Sequence, residues 1–278
     1  MNRYLTIRTV DAELAAVLHY PDELSGAGVS DRGKYPVVVI CHGFAGNSNG
    51  TDRLFVEAAR ELSAGGYYVL RFDYGGCGES TGDYGSGGMD RIIEETRRAI
   101  DYVASIDHID PSRITLLGHS LGGAAAVLTA VRDSRIKSLI LWSPVAHPLL
   151  DIVRIVGERK VQELTRGGKR FVDHLHYELK PEFFDSLGRY HPLQELAAFK
   201  GDVFIAHGTG DRDIPVDYAF LYQKMFWTRK SGVCDKEIIM NADHSFSSAA
   251  ARRQVIGETV GWLRYNRQCQ ENWSHWTI

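Results

Sequence analysis

The feature that most constrains the fold is a glycine-flanked serine between an apolar run and a helix-favouring run. Residues 114–123 are Ile-Thr-Leu-Leu-Gly-His-Ser-Leu-Gly-Gly, and Ala-Ala-Ala-Val-Leu follows at once. A strand that turns this sharply into a helix lifts Ser120 to the apex in strained backbone geometry. Gly118 and Gly122 flank the turn because side chains there would collide with neighbouring elements. Ser120 is therefore a candidate nucleophile, provided that the rest of the chain supplies its partners.

Apolar runs alternate with runs of helical spacing along most of the chain. Residues 35–41 are apolar on both faces, which is typical of a buried parallel strand. Met89–Ser105 has apolar residues at helical spacing, which predicts an amphipathic helix. On the same grounds we predict strands at 4–9, 14–19, 67–73, 114–119, 138–142, 203–207 and 236–240, and helices at 55–64, 218–227 and 249–265. The alternation predicts the α/β class, with a mostly parallel twisted sheet of about eight strands and helices on both faces.

The alternation breaks down in the middle of the chain. The 59 residues from Ser143 to Gly201 are too many for one connecting helix in a compact domain. We interpret residues 146–196 as an inserted cap over the catalytic face, with residues 1–145 and 197–278 as the core. The alternative is a pair of ordinary peripheral helices.

Composition and charge exclude several classes of protein. The chain has 278 residues, of which 44% are hydrophobic and 24% are charged, as in an ordinary globular enzyme. The formal charge is −3 without a block of Lys or Arg, so neither nucleic acid nor an anionic membrane is expected as a partner. No apolar run reaches the roughly 18 to 20 residues of a membrane span, and the first residues lack the apolar stretch of a signal peptide.

Cysteine and histidine spacing argues against a metal centre. The four cysteines lie far apart without a Cys-x-x-Cys pair, which predicts a reduced, cytoplasmic protein with neither a zinc site nor a disulfide framework. Cys41 and Cys77 are expected to act as small hydrophobic residues. His174, His176 and His191 lack carboxylates at ligand spacing, so we expect no metal and no cofactor.

Two loops downstream of Ser120 offer the groups that a serine nucleophile needs. A serine hydroxyl is a weak nucleophile unless a base takes its proton and a carboxylate orients that base. Residues 207–215 follow one predicted strand, and residues 241–246 follow the last one. His244 is favoured over the other histidines because it alone lies in the short loop before the closing helix. The chain order is therefore Ser120, Asp211, His244.

Four motifs of this chain together resemble those of the α/β-hydrolase superfamily. They are Cys-His-Gly-Phe at 41–44, Asp-Tyr-Gly-Gly-Cys-Gly-Glu-Ser at 73–80, the Gly118–Gly122 turn, and His-Gly-x-x-Asp-x-x-Ile-Pro at 207–215. The resemblance covers nearly the whole length. Within the superfamily the chain is similar to small carboxylesterases that include bacterial cinnamoyl and feruloyl esterases, and to their serine-aminopeptidase-like relatives.

The resemblance also assigns further residues. The family pattern places the acid four residues after the histidine of His-Gly, which favours Asp211 over Asp213 as the acid. An oxyanion hole needs two backbone N–H groups, and Leu121 is one natural donor because it begins a helix. By resemblance the other donor is Phe44. His42 is expected to brace this loop, with a part in proton transfer as the alternative.

Two other residues near the predicted triad have ordinary structural interpretations. His119 stands at the variable position of the turn, where packing or a hydrogen bond is the default role. Asp243, next to the predicted base, is expected to brace its loop.

These assignments predict a serine carboxylesterase for short-chain or aryl esters, of which cinnamoyl or feruloyl esters are one class by resemblance. One alternative is a small-substrate peptidase or amidase, which would need an acidic group in the cap; Glu178, Glu182 and Asp185 are available. A second alternative is a non-catalytic ligand-binding protein on this fold. The expected partner is a small-molecule ester, and the sequence leaves a homodimer open.

Overall fold

Eight strands form one twisted sheet with the order β1-β2-β4-β3-β5-β6-β9-β10. The structure, a computed structural model, describes residues 1–22 and 34–274, with side chains up to residue 269. Strand β2 runs antiparallel to both of its neighbours, β1 and β4, and the other neighbouring pairs are parallel. The strands are β1 (Asn2–Arg8), β2 (Glu13–His19), β3 (Tyr35–Cys41), β4 (Tyr68–Phe72), β5 (Ile109–His119), β6 (Ile136–Trp142), β9 (Asp202–Gly208) and β10 (Cys234–Ile239). The predicted α/β-hydrolase fold class is confirmed.

Helices cover both faces of the sheet. Successive residues of β3 illustrate why, since Val37 and Val39 pack into one core cluster and Val38 and Ile40 into the other. A strand buried on both faces carries no polar alternation, which is why its sequence is apolar throughout. The helices are α1 (Leu54–Ala64), α2 (Tyr84–Ala104), α3 (Leu121–Ala130), α4 (Pro148–Val156), α5 (Glu158–Thr165), α6 (Pro181–Gly188), α7 (Pro192–Glu195), α8 (Asp217–Trp227) and α9 (Ala249–Ser274).

Three predicted element boundaries differ from the structure by more than two residues. Helix α2 begins at Tyr84 rather than Met89, because a glycine-rich first turn hides the helical pattern and Gly88, at φ 53°, interrupts it. Strand β5 begins at Ile109, since its first residues include exposed polar positions and a proline. Helix α9 extends past Tyr265 to Ser274, where few apolar residues mark its course.

The segment 146–196, which we call the inserted segment, contains helices α4 to α7 and a small hairpin. The hairpin pairs β7 (Val172–His174) with β8 (Tyr177–Leu179). The segment thus contains more elements than the two helices of the alternative. The segment packs on the first half of α2: the Lys180 N–H donates to the carbonyl of Gly85 at 3.0 Å, and the Tyr190 hydroxyl donates to Asp90 at 2.6 Å.

None of the helices in residues 1–22 and 34–274 combines the length and the apolar character that crossing a bilayer requires. All four cysteines are free thiols. Burial raises the pKa of Cys41 to about 11 and that of Cys77 to about 12, so both thiols stay protonated near neutral pH.

A buried carboxyl on α2 makes stability depend on pH. Glu95 accepts the Gly75 N–H at 2.9 Å through one oxygen, and burial raises its pKa from 4.5 to about 7. The folded state holds the Glu95 proton more tightly than the unfolded state does. The contribution of Glu95 to the free energy of unfolding is therefore full below pH 4.5 and declines as the pH rises through 7. Between pH 5 and pH 8 the wild type should therefore lose up to about 3 kcal/mol of unfolding free energy that Glu95→Gln does not lose.

Urea unfolding of both proteins at the two pH values measures this difference. The control is Glu94→Gln, whose half-exposed carboxylate pairs with Arg98 on the helix surface. Equal pH dependence in wild type and Glu95→Gln would contradict the assignment.

Candidate active site

Ser120 stands at the apex of the turn between β5 and α3. Its backbone has φ 57° and ψ −123°, a left-handed conformation that side chains rarely adopt. A Cβ on Gly118 would lie 2.3 Å from the carbonyl oxygen of Gly122, and a Cβ on Gly122 would lie 2.2 Å from that of Cys41. Both flanking positions thus require glycine. The Ser120 N–H donates to the Trp142 carbonyl at 2.9 Å, which fixes the strained turn to the neighbouring strand.

The predicted acid and base lie in direct contact. His244 Nδ1 lies 2.8 Å from Asp211 Oδ2, and the carboxylate side chain is fully buried whereas the imidazole is 14% exposed. Since a carboxylate oxygen only accepts, Nδ1 carries the proton and Nε2 is left with a free lone pair. That tautomer is the one a general base needs.

Asp211 receives four hydrogen bonds. Its Oδ1 accepts the N–H groups of Asp213 at 2.9 Å and Ile214 at 2.8 Å, and its Oδ2 accepts from His244 and from His207 at 3.1 Å. Burial alone would raise its pKa, but the bonds from the two histidines hold the pKa of Asp211 well below its ordinary value. The carboxylate is therefore ionised near neutral pH.

The rival acid, Asp213, has an exposed side chain. It contributes its backbone instead: its N–H binds Asp211, and its carbonyl accepts from the Arg154 guanidinium at 2.6 Å. The side chain that contacts His244 is therefore that of Asp211.

His119 joins the nucleophile turn to the loop of the base. Its Nε2 donates to the carbonyl of His244 at 2.8 Å, and the two rings lie 4.8 Å apart. Burial, assisted by His244, lowers the pKa of His119 to about 3, so this ring stays neutral. Asp243 braces the same loop by accepting the Ser247 N–H at 2.8 Å.

The loop after β3 lies against the serine. A Cβ on Gly43 would lie 3.0 Å from the Cβ of Ser120. His42 braces the loop: its Nε2 accepts the Tyr74 N–H at 3.0 Å, so its Nδ1–H donates to the Gly43 carbonyl at 2.8 Å. This bonding uses both ring nitrogens and leaves neither for proton transfer. Phe44 follows Gly43 directly in the chain.

Leu121 is the first residue of α3, so its N–H has no acceptor within the helix. The helix dipole adds partial positive charge at this end, beside Ser120. Leu121 follows Ser120 directly and Phe44 follows Gly43, the residue of the β3 loop that contacts Ser120.

Comparison with known proteins agrees with this fold. The model of the family described as alpha/beta hydrolase fold matches residues 36–166. A structure described as ferulic acid bound to Est1E from Butyrivibrio proteoclasticus superposes with a TM-score of 0.76 at 22% identity, covering 94% of this chain and 99% of that one. The chain has the α/β-hydrolase fold, and its residues 36–166 match that family.

Curated relatives of this α/β-hydrolase match it in part. The quorum-quenching protein AidA of Acinetobacter baumannii is 35% identical over 111 residues, which is 39% of this chain and 35% of that protein. An uncharacterized protein of Mycobacterium tuberculosis, Rv2307c, is 31% identical over 213 residues, covering 77% of this chain and 63% of that protein. The chain thus spans less than two thirds of the length of these relatives.

Aromatic side chains connect the β3 loop of this α/β-hydrolase to the inserted segment. The Phe44 ring stacks on His174 with centroids 5.2 Å apart and lies 5.8 Å from Phe183. Tyr84, on α2, lies 6.1 Å from Phe44 and 5.2 Å from Tyr177. We call Phe44, Tyr84, His174, Tyr177 and Phe183 the aromatic cluster. Sequence reasoning missed it, because its members come from the loop after β3, from α2 and from β7, β8 and α6 of the inserted segment.

A cavity of about 230 Å³ adjoins the residues that flank the reacting groups. Its lining includes Gly43 of the β3 loop, His119 before the nucleophile and Ser245 after the base. The larger cavities lie elsewhere. One of about 430 Å³ includes Pro36 and Lys137, near the first residues of β3 and β6, and one of about 420 Å³ lies along α4 and α6. Ser120 itself is only 3% exposed.

The described residues contain one group of potential metal ligands. Asp211, Asp213 and His244 offer donor atoms within 4.8 Å of one another. The Asp211 and His244 atoms of this group are already joined by a hydrogen bond, and Asp211 accepts two N–H groups besides. Hydrogen bonding therefore accounts for this cluster of ligand atoms.

Proposed function

We propose that this chain is a serine carboxylesterase that hydrolyses small-molecule esters through an acyl-enzyme on Ser120. Ser120 attacks the ester carbonyl, and His244 takes its proton and returns it to the leaving alcohol. Asp211 holds the imidazole in the required tautomer, while the N–H groups of Phe44 and Leu121 bind the oxyanion. Water activated by His244 then releases the acid. The reaction needs neither metal nor cofactor.

One observation carries this proposal: the 2.8 Å hydrogen bond between His244 Nδ1 and the buried Asp211 carboxylate. The loop of His244 is joined through His119 to the turn that holds Ser120, whose φ is positive. Buried carboxylates carry a desolvation cost, so one held by four donors next to a partly exposed imidazole points to a chemical role. The non-catalytic alternative offers no reason to keep such an arrangement together.

The aromatic cluster supports an aryl or short acyl ester as the substrate. Its partly exposed members, Phe44, His174 and Tyr177, offer flat rings at the β3 loop against which an aryl group can pack. In this proposal, residues 146–196 act as a cap over the site. The Est1E structure holds ferulic acid, and a cinnamoyl-type ester is the corresponding choice here.

The substrate prediction is tested by comparing methyl ferulate with p-nitrophenyl butyrate. Methyl butyrate is included because it has the same leaving group as methyl ferulate. We expect kcat/KM on methyl ferulate to equal or exceed that on methyl butyrate. Strong preference for butyrate in that matched pair would remove the cinnamoyl specialisation while leaving the esterase proposal in place.

An aminoacyl-anilide in the same panel tests the peptidase alternative. A peptidase that holds a free amino terminus needs a carboxylate facing the site. Glu178, Glu182 and Asp185, the acidic residues proposed for that role, are all exposed on the surface. We therefore expect no turnover of the anilide.

A further inference from the structure

His207, at the end of β9, shares a carboxylate oxygen with the proposed base. Its Nε2 lies 3.1 Å from Asp211 Oδ2 and 3.1 Å from the carbonyl of Ile214. Both partners only accept hydrogen bonds, so Nε2 carries the proton and donates to both. The side chain is fully buried.

The Nδ1 atom of His207 argues against a role in packing alone. Its Nδ1 is buried without a hydrogen-bond partner among the described residues. An unpartnered buried polar atom destabilises the fold, and an apolar residue at this strand position would avoid that cost. The Nε2–H bonds are what an apolar side chain could not supply.

We propose that His207 is a positioning residue of the active site, which acts through Asp211 by holding its Oδ2 in register for His244. This inference rests on the proposed function. Two donors converge on one oxygen, so the carboxylate can neither rotate nor turn that oxygen away from the base. Because His207 takes part of the charge of Oδ2, it also limits how strongly the carboxylate stabilises a protonated His244.

A matched pair of substitutions separates this role from packing. In Gln the side-chain amide nitrogen occupies the position of histidine Nε2, whereas in Asn it occupies that of Nδ1. His207→Gln therefore keeps a donor toward Asp211, and His207→Asn places one on the wrong side. Both replacements bury one amide, so their costs in folding are similar.

The readout is the pH profile of kcat/KM on p-nitrophenyl butyrate. For His207→Asn we expect the acid limb to move up by about half a pH unit, because His244 loses a competitor for Oδ2. We also expect kcat to fall about tenfold, since the carboxylate is less well oriented. His207→Gln should keep the wild-type limb and stay within about threefold of wild-type kcat.

The other ionisable groups around His244 stay constant in this comparison. They are Asp211, His119 on β5, Asp213 with its carbonyl on Arg154 of α4, and Asp243 in the loop of the base. An equal shift in both variants, or no shift in His207→Asn, would overturn the proposal.

Nitrogen-15 NMR of histidine-labelled wild type tests the same bond without any variant or substrate. We expect the His207 ring, assigned by its absence in His207→Gln, to be protonated at Nε2 and not at Nδ1. Protonation at Nδ1 alone would overturn the proposal. Absence of esterase activity in the wild type would overturn the proposed function instead, and the NMR result would still report on the hydrogen bond.

Discussion

Replacing Ser120 with alanine is expected to lower kcat/KM for p-nitrophenyl butyrate by roughly 10⁵-fold. In the proposed mechanism the change removes the hydroxyl that forms the acyl-enzyme and leaves the proposed oxyanion donors and the binding surfaces in place. Steady-state hydrolysis at pH 8 with freshly purified protein measures the loss. The residual rate should then reflect transition-state binding without covalent chemistry.

Two controls separate loss of the nucleophile from loss of folding and from the effect of removing any serine. The unfolding midpoint of Ser120→Ala should stay close to that of the wild type, because alanine keeps the Cβ of serine and the turn around it. Ser134→Ala, at an exposed position before β6, should retain full activity. Substantial hydrolysis by Ser120→Ala would mean that another residue is the nucleophile.

Replacing Asp211 with asparagine is expected to lower kcat by about 10⁴-fold. The asparagine keeps one oxygen for the N–H groups of Asp213 and Ile214, which turns its amide nitrogen toward the two histidines. His244 must then accept at Nδ1 and carry its proton on Nε2, so it can no longer take the proton of Ser120. The rate should fall in kcat far more than in KM, since substrate binding is not involved.

Asp213→Asn is the matched control for this substitution. It lies two residues away, and its exposed carboxylate, although within 4.8 Å of a ring nitrogen of His244, makes no hydrogen bond among the described residues. We expect its kcat to stay within about threefold of the wild type. Comparable losses in both variants would show that charge in this loop matters, and not the single carboxylate bonded to His244.

The core strands and the Ser120 turn could be predicted because their sequences report local constraints. Strand β3 is apolar on both faces because it is buried on both. Gly118 and Gly122 must be glycine because a Cβ would collide with the carbonyl oxygen of Gly122 or, on the neighbouring strand, with that of Cys41. The order of Ser120, Asp211 and His244 along the chain is also read directly from the sequence. Patterns of this kind need no knowledge of distant contacts.

The features that were missed depend on distant contacts. The hairpin of β7 and β8 has strands of three residues each, too short for any periodic signal. The hydrogen bond from His207 to Asp211 was missed, because only the fold shows that His207 and His244 both donate to the same oxygen of Asp211. The motif His-Gly-x-x-Asp marks His207, but its spacing does not say which nitrogen donates or to what.

Covalent labelling tests the central claim most directly. A fluorophosphonate, which reacts only with an activated serine, is added in limiting steps, and each sample is assayed for hydrolysis and mapped by peptide mass spectrometry. The account predicts one adduct per chain on Ser120, loss of activity in proportion to labelling, and no adduct in Asp211→Asn over the same time. Full activity in protein whose Ser120 is completely labelled, or an adduct on another serine that tracks the loss, would contradict it.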